Sequence, residues 1–304
     1  MDYTEISLRV APIYAETLAW HLRDLGGQGV VVSEEPAEGP KPAEGAVKLY
    51  QPGTPESVTD WVVALETRLG ELRPHFPELV WRVEQRLVPS EDWEDSWKRY
   101  WHVQEIGERI VIKPSWEEYV GGPEKLVIEL DPKQAFGTGT HATTQLCLRS
   151  LEEHMQAFDS PFVFDVGTGS GILAIAAAML GAKRVETCDT DQVAVIATRE
   201  NADANGVGDR VAVYHGGIET LTGQADVLVI NILAEVIVSL ADQVAHRLKP
   251  GGLVIASGII KARQASVEAA FEASGLAIAR IEHQGEWVLV EARRPDSFVI
   301  EPHN

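Results

Sequence analysis

Two cysteines in 304 residues, Cys147 and Cys188, are too few for a disulfide framework. Neither stands in the C-x-x-C spacing of a metal site, so no metal is expected. The simplest compartment for such a chain is a reducing cytoplasm. Long apolar runs are also missing. Residues 172–180 form one of the longest, far short of the roughly 20 needed to span a bilayer. The opening MDYTEISLRV has no basic n-region and no apolar h-region, which argues against a signal peptide there. Basic residues are scarce: 26 Lys and Arg stand against 46 Asp and Glu, for a net charge of −20. Such a chain repels phosphate backbones, so wide nucleic-acid binding is disfavoured. A basic partner, in contrast, would be attracted and steered. Core material is not lacking. With 45% apolar and 24% charged residues the chain has the balance of a soluble globular protein, and its length allows two domains.

Residues 1–88 read as a small α/β unit. Strand-like patterns cover residues 4–10, 29–33, 46–51 and 79–88, and helical spacing covers residues 12–25 and 55–69. Pro12 suits a first helical turn, and Gly26 with Gly27 suits a stop. Residues 34–45, rich in Pro, Glu and Gly, read as a loop. The order βαββαβ predicts a ferredoxin-like unit. Acidic residues outnumber basic ones 14 to 8 here and 32 to 18 in the remainder, so both parts share the acidity. Residues 91–101 predict a linker helix. Trp93, Trp97 and Trp101 share one face of it, suited to packing between domains. Residues 109–113 then read as a β run, which Pro114-Ser115-Trp116 breaks. The expected divisions are 1–88, a linker at 89–106, and a second domain at 107–304.

From about residue 161, strand and helix patterns alternate without pause. Strands are expected at 162–166, 184–188, 210–215, 226–231 and 252–257. Helices are expected at 171–180, 191–205, 233–248 and 261–274. Two further strands, 276–283 and 286–292, meet at Gln284 and Gly285. This alternation specifies a parallel sheet with helices on both faces and an antiparallel partner at its end.

The strongest local signal is Asp165-Val166-Gly167-Thr168-Gly169-Ser170-Gly171, between a strand and a helix. Alternate glycines let a backbone turn tightly and approach a ligand. A dinucleotide fingerprint would place a third glycine where Ile172 stands, and a P-loop would need Gly-Lys-Ser/Thr, which is absent. The turn therefore suits a ligand without a pyrophosphate. The next strand ends at Asp189, where an acid can accept both ribose hydroxyls of a nucleoside. Asp191 reads as a helix N-cap. Glycine turn plus acid at this spacing resembles the class I methyltransferases that bind S-adenosylmethionine. A later strand ends at Asn231, a position where ligands of open α/β sheets sit. In related methyltransferases Pro-Pro-Tyr or Pro-Pro-Phe follows when the acceptor is planar. Ile232 and Leu233 follow here, which suits a flexible aliphatic amine.

A further segment, Asp131-Pro132-Lys133-Gln134-Ala135-Phe136-Gly137-Thr138-Gly139-Thr140-His141-Ala142-Thr143-Thr144, precedes a helix expected from about residue 144. Such a loop can fold over a ligand. It resembles the A-F-G-T-G-T-H-x-T-T stretch of the ribosomal protein L11 methyltransferase family. Trp93 and Trp97, the run from Val111 to Trp116, the D-x-G-x-G-S-G-I-L-A-I-A-A-A run, Asp189-Thr190-Asp191, Asn231-Ile232-Leu233 and Gly285-Glu286-Trp287 agree with it. The match runs from about residue 91 onward. Lys133, Gln134, Ala142 and Thr168 depart from the family pattern.

The resemblance implies a seven-stranded, Rossmann-like class I methyltransferase domain behind a ferredoxin-like substrate-recognition domain. It implies methyl transfer from S-adenosylmethionine to lysine or N-terminal amines of the basic ribosomal protein L11. The protein is expected to be a cytoplasmic monomer. Cofactor contacts carried over by position are Thr144, Gly167, Asp189 and Asn231, with Phe136 and Gly169 beside them. Asn231 is the candidate to orient the amine, and His141 is the best side-chain candidate for a base. Two other readings compete with this one. The charge of −20 speaks against an RNA acceptor, and a small molecule would not need an 88-residue extra domain. The intact glycine turn, Asp189 and Asn231 speak against a non-catalytic assembly factor.

Overall fold

The computed structural model describes residues 2–11, 14, 15, 18, 22, 28–35, 44–73, 79–89, 102–131, 139 and 141–296. The chain divides into two compact units, Met1–His102 and Val103–Asn304.

In the first unit, β1 (Tyr3–Val10), β2 (Gln28–Glu35), β3 (Glu44–Pro52) and β4 (Arg82–Val88) form an antiparallel sheet in the order β2-β3-β1-β4. Alternation along β1 sends Ile6, Leu8 and Val10 into a core with Val47 and Leu49. Helix α1 (Thr59–Leu72) covers that core with Leu65, Leu69 and Leu72. The other side of β1 buries Glu5, whose cross-strand neighbours are Tyr50 and Arg86. The helix expected over residues 12–25 falls mostly outside the described residues, so the ferredoxin-like assignment stays an expectation. The linker helix with Trp93, Trp97 and Trp101 lies outside them too.

The second unit begins with a small sheet that the sequence pattern did not reveal as a sheet. Its strands are β5 (Gln104–Ile106), β6 (Ile110–Lys113) and β7 (Leu126–Glu129), in that order. Helix α2 (Ala142–His154) follows. Then come β8 (Phe162–Val166), α3 (Ile172–Met179), β9 (Arg184–Asp189), α4 (Gln192–Ala204), β10 (Val211–His215), β11 (Ala225–Asn231), α5 (Ala234–Arg247), β12 (Leu248–Ile260), α6 (Gln264–Ala273), β13 (Ala277–Gln284) and β14 (Trp287–Arg293).

The main sheet runs β10-β9-β8-β11-β12-β14-β13. Its first five strands are parallel, and β14 pairs antiparallel with both β12 and β13. The closing hairpin therefore inserts its second strand beside β12 and leaves its first at the edge. This is the seven-stranded class I methyltransferase arrangement. Apolar clusters fill both faces, as the near-continuous apolar strands require. Strand order reverses between β8 and β11, so the crevice beyond their carboxyl ends is where an open α/β sheet takes its ligand. Among the described residues, no helix is long and apolar enough to cross a membrane.

Candidate functional site

Three strand ends meet at that crevice: β8 leads into the glycine turn, β9 ends at Asp189 and β11 ends at Asn231. Gly167, Gly169 and Gly171 have φ of +79°, +57° and +85°, conformations that L side chains enter only under strain. The amides of the turn are already in use. Gly167 and Thr168 donate to the Cys188 carbonyl at 2.9 and 3.2 Å, Gly169 donates to Asp189 Oδ2 at 2.9 Å, and Gly171 donates to the Thr168 carbonyl at 2.9 Å. From α4, Thr198 Oγ1 donates to the Gly169 carbonyl at 3.1 Å and Asn201 Nδ2 to the Ser170 carbonyl at 2.8 Å. A phosphate cradle needs free amides aimed at the anion. This turn has spent most of its own on the protein, so it suits a ligand without a pyrophosphate.

Asp189 holds the turn and the next helix together. Its Oδ2 accepts from Gly169, and its Oδ1 accepts from the Asp191 amide at 2.9 Å. A carboxylate has about four acceptor positions, so two are left for hydroxyl donors. Asp191 caps α4, accepting from the Val193 amide at 2.8 Å.

On the far side of the crevice, Asn231 Nδ2 donates to Thr144 Oγ1 in a long 3.4 Å hydrogen bond. This brings the start of α2 to the end of β11. The Asn231 oxygen has no hydrogen-bond partner among the described residues and can accept from a donor in the crevice. Helix α2 starts at Ala142, two residues before the expected start, because His141 caps it. The His141 Nδ1 accepts from the Thr143 amide at 3.4 Å and lies 2.7 Å from Thr143 Oγ1. Trp287 meets the imidazole edge-on at 4.5 Å between ring centroids. Burial drives the His141 pKa down to about 4, so the ring is neutral at pH 7. Further along α2, Ser150 Oγ and His154 Nε2 lie 2.9 and 3.0 Å from the buried Glu291 carboxylate of β14, which anchors the helix.

Two sequence candidates fall differently. Phe136 lies outside the described residues, as does most of its loop. Gly139 is described and buried, with φ +85°, and a Cβ there would come within 2.3 Å of Ile112 Cδ1 and 3.1 Å of Ile172 Cδ1.

The sequence reading assigned no role to Asp165. This residue is 1% exposed at the end of β8. Thr187 Oγ1 donates to its Oδ2 at 3.2 Å, while its Oδ1 has no hydrogen-bond partner among the described residues. Burial raises its pKa to about 6 against the pull of the Thr168 and Thr187 hydroxyls, and the nearby Asp189 charge adds to the rise. Cys147 and Cys188 are free and buried, and burial pushes both thiols up, Cys188 to about 12. Neither is a nucleophile at neutral pH. Among the described residues, no cluster of His, Cys, Asp and Glu could hold a metal ion.

Comparison with known proteins shows the family. The family description "Ribosomal protein L11 methyltransferase (PrmA)" matches residues 2–295. A ribosomal protein L11 methyltransferase of Pelotomaculum thermopropionicum is 42% identical, over 96% of this chain and 99% of its own. One from Brevibacillus brevis is 40% identical, over 97% of this chain and 100% of its own. A crystal structure of a ribosomal protein L11 methylase from Lactobacillus delbrueckii subsp. bulgaricus superposes with a TM-score of 0.60 at 35% identity. It covers 64% of this chain and 99% of its own.

Proposed function

The chain belongs to the ribosomal protein L11 methyltransferase family, and from that premise we propose that it methylates amino groups of ribosomal protein L11 with S-adenosylmethionine as donor. The observation that carries this reading is the crevice itself. A glycine turn whose amides are internally spent, an acid with two open acceptor positions and an amide at the neighbouring strand end together suit a nucleoside with a cationic, phosphate-free tail. The bound donor supplies a methyl group on a sulfonium, an electrophile that needs no metal.

The protein's part is binding and orientation. Gly167 and Gly169 bring the backbone close to the donor. Asp189 takes the ribose hydroxyls on its two open positions. Thr144 holds the Asn231 carboxamide, and the Asn231 oxygen accepts an N–H of the incoming amine, turning its lone pair toward the methyl group. An amine near pKa 10.4 must first lose a proton. Exclusion of water and the nearby sulfonium charge both disfavour a second cation, so they lower that pKa. We assign His141 to holding the start of α2. Its Nδ1 is engaged as a cap, and a ring with a pKa of about 4 takes up protons poorly at pH 7. The acidic surface draws in a basic ribosomal substrate, and the unit Met1–His102 binds it. We place the protein in the cytoplasm, as a monomer without wide nucleic-acid binding.

One assay tests the proposal. The protein is incubated with methyl-labelled S-adenosylmethionine and either free L11 or ribosomal RNA. Label is expected in L11, on amines stable to base. Label in RNA alone would replace this reading with the nucleic-acid one.

A further inference from the structure

Ile232, one residue after Asn231, stands between two glycines. Its side chain lies against the glycine turn: a Cβ at Gly167 would be 2.4 Å from Ile232 Cγ2. Its main chain lies against Gly258 of β12, which has φ +82°. A Cβ at Gly258 would be 2.1 Å from the Ile232 carbonyl oxygen, 2.8 Å from its carbonyl carbon and 3.0 Å from its nitrogen. These are all backbone atoms, so no rotamer change relieves the collision. The strand is also held from behind. Ser257, fully buried, pairs with Asn231 in the parallel register and donates Oγ to the Val288 carbonyl at 2.9 Å. The register between β12 and β14 shifts between Ala256 and Ile259, and Gly258 sits within that shift. Glycine inside a strand commonly marks such a bulge or a close backbone approach, and here it marks both.

We infer that Gly258 is a positioning residue for methyl transfer. Its missing side chain lets the Ile232 main chain approach β12, and this sets where Asn231 presents its carboxamide to the amine. The inference rests on the reading of Asn231 as the group that orients the acceptor. A methyl group at position 258 must push the Ile232 peptide away from β12. Asn231 moves with it, while Gly169 and Asp189, held by their own hydrogen bonds, do not. The expected signature is a loss of rate with cofactor binding largely kept.

A second glycine separates this role from simple backbone strain. Gly223 has φ +83°, nearly that of Gly258, but nothing lies within 4 Å of a Cβ built on it. Gly223→Ala and Gly258→Ala therefore share the left-handed penalty, and only the second adds the collision.

The full-length protein is assayed for kcat and KM with L11 as methyl acceptor, and for S-adenosylmethionine affinity by calorimetry. Gly223→Ala, Gly258→Ala and Asn231→Ala are compared. Gly258→Ala is expected to lower kcat about 100-fold, the scale of an ångström-sized misplacement of reacting groups. Its cofactor Kd should change far less, and Gly223→Ala should keep the unsubstituted rate. If Gly258→Ala does not fold, Gly258→Asn replaces it, since Asn tolerates the left-handed region and still carries the colliding Cβ. A Gly258 variant no slower than Gly223→Ala overturns the inference. So does a cofactor Kd that rises as steeply as kcat falls, which would make Gly258 a support for the whole crevice. Full activity in Asn231→Ala sinks the reading of Asn231 itself, whatever the Gly258 variants do.

Discussion

In the unit Met1–His102, Glu5 is buried with its partners around it. Tyr50 Oη donates to its Oε2 at 2.9 Å and Arg86 Nη2 lies 3.1 Å away. Burial pushes the carboxyl up, but Tyr50, Lys48 and Arg86 outweigh it and hold the group below its ordinary value. In the unit Val103–Asn304, Asp165 is buried at the foot of the glycine turn with one oxygen unpartnered among the described residues, and its pKa rises to about 6. The first arrangement is that of an acid serving the fold. The second is an acid kept under tension beside a site. The candidate site residues that are described divide the same way: Thr144, Gly167, Gly169, Asp189 and Asn231 all belong to the second unit.

Removing residues 1–102 is the harshest test of this division. Methylation of L11 should vanish while S-adenosylmethionine binding, followed by calorimetry, is retained. A truncated protein that still modifies L11 at full rate would move substrate recognition into the second unit. Within that unit, Asp189→Ala should weaken cofactor binding by about 2 kcal/mol, roughly 30-fold, through lost charge-assisted hydrogen bonds. The Gly169 and Asp191 amides also lose their acceptor, so the damage should include a looser turn. Unchanged affinity would remove Asp189 from the site.

The buried acids themselves give a pH test with opposite signs. Asp165 binds its proton more tightly folded than unfolded. It therefore adds stability below about pH 4 that is lost as pH rises through about 6. Asp165→Asn cannot ionise and should gain on the unsubstituted protein in urea-unfolding free energy between pH 5 and pH 7. Glu5, held below its ordinary pKa, adds stability above the unfolded value and loses it as pH falls. Glu5→Gln should cost most at pH 7 and progressively less toward pH 3. Parallel profiles for the two variants would erase the contrast.

The smallest expected effect concerns charge. With −20 on the enzyme, kcat/KM toward L11 should fall as salt shortens the Debye length from about 10 Å at 0.1 M to about 3 Å at 1 M. Cofactor Kd over the same series should change less. A flat kcat/KM would mean that the acidic surface serves solubility alone.

Much of the crevice was legible in the sequence because its parts obey local rules. Alternate glycines need positive φ, and Asp189 and Asn231 stand where apolar strand runs stop. The cap at Asp191 follows from its own side chain and the next two residues. His141 is a less common cap, which is why α2 was expected to start at residue 144 and not at Ala142. The small sheet of β5, β6 and β7 was not legible as a sheet. The run 109–113 reads as the strand that β6 is, but β5 and β7, of three and four residues, carry too little periodicity, and β7 pairs in parallel with β6 across an intervening loop. Gly258 was invisible for another reason. Its need arises from the register of β12 against β11, which places it on Ile232, 26 positions earlier in the chain. Asp165 opens the glycine signal in sequence without a role of its own, and only the packed sheet around it reveals an acid out of reach of water.

The place of β8 beside β11, where the strand order of the main sheet reverses, also bears on how the site comes into being during synthesis. Its two neighbours are β9, close behind it in the chain, and β11, which ends at Asn231. A nascent chain can pair β8 with β9 early and form the glycine turn over Asp189. The acceptor side must wait for β11, and its seat against Gly258 must wait for β12. A half-made domain thus offers the nucleoside half of a site. Cofactor bound there would stabilise the β8–β9 half before the acceptor side is seated, so binding can precede the competence to transfer a methyl group.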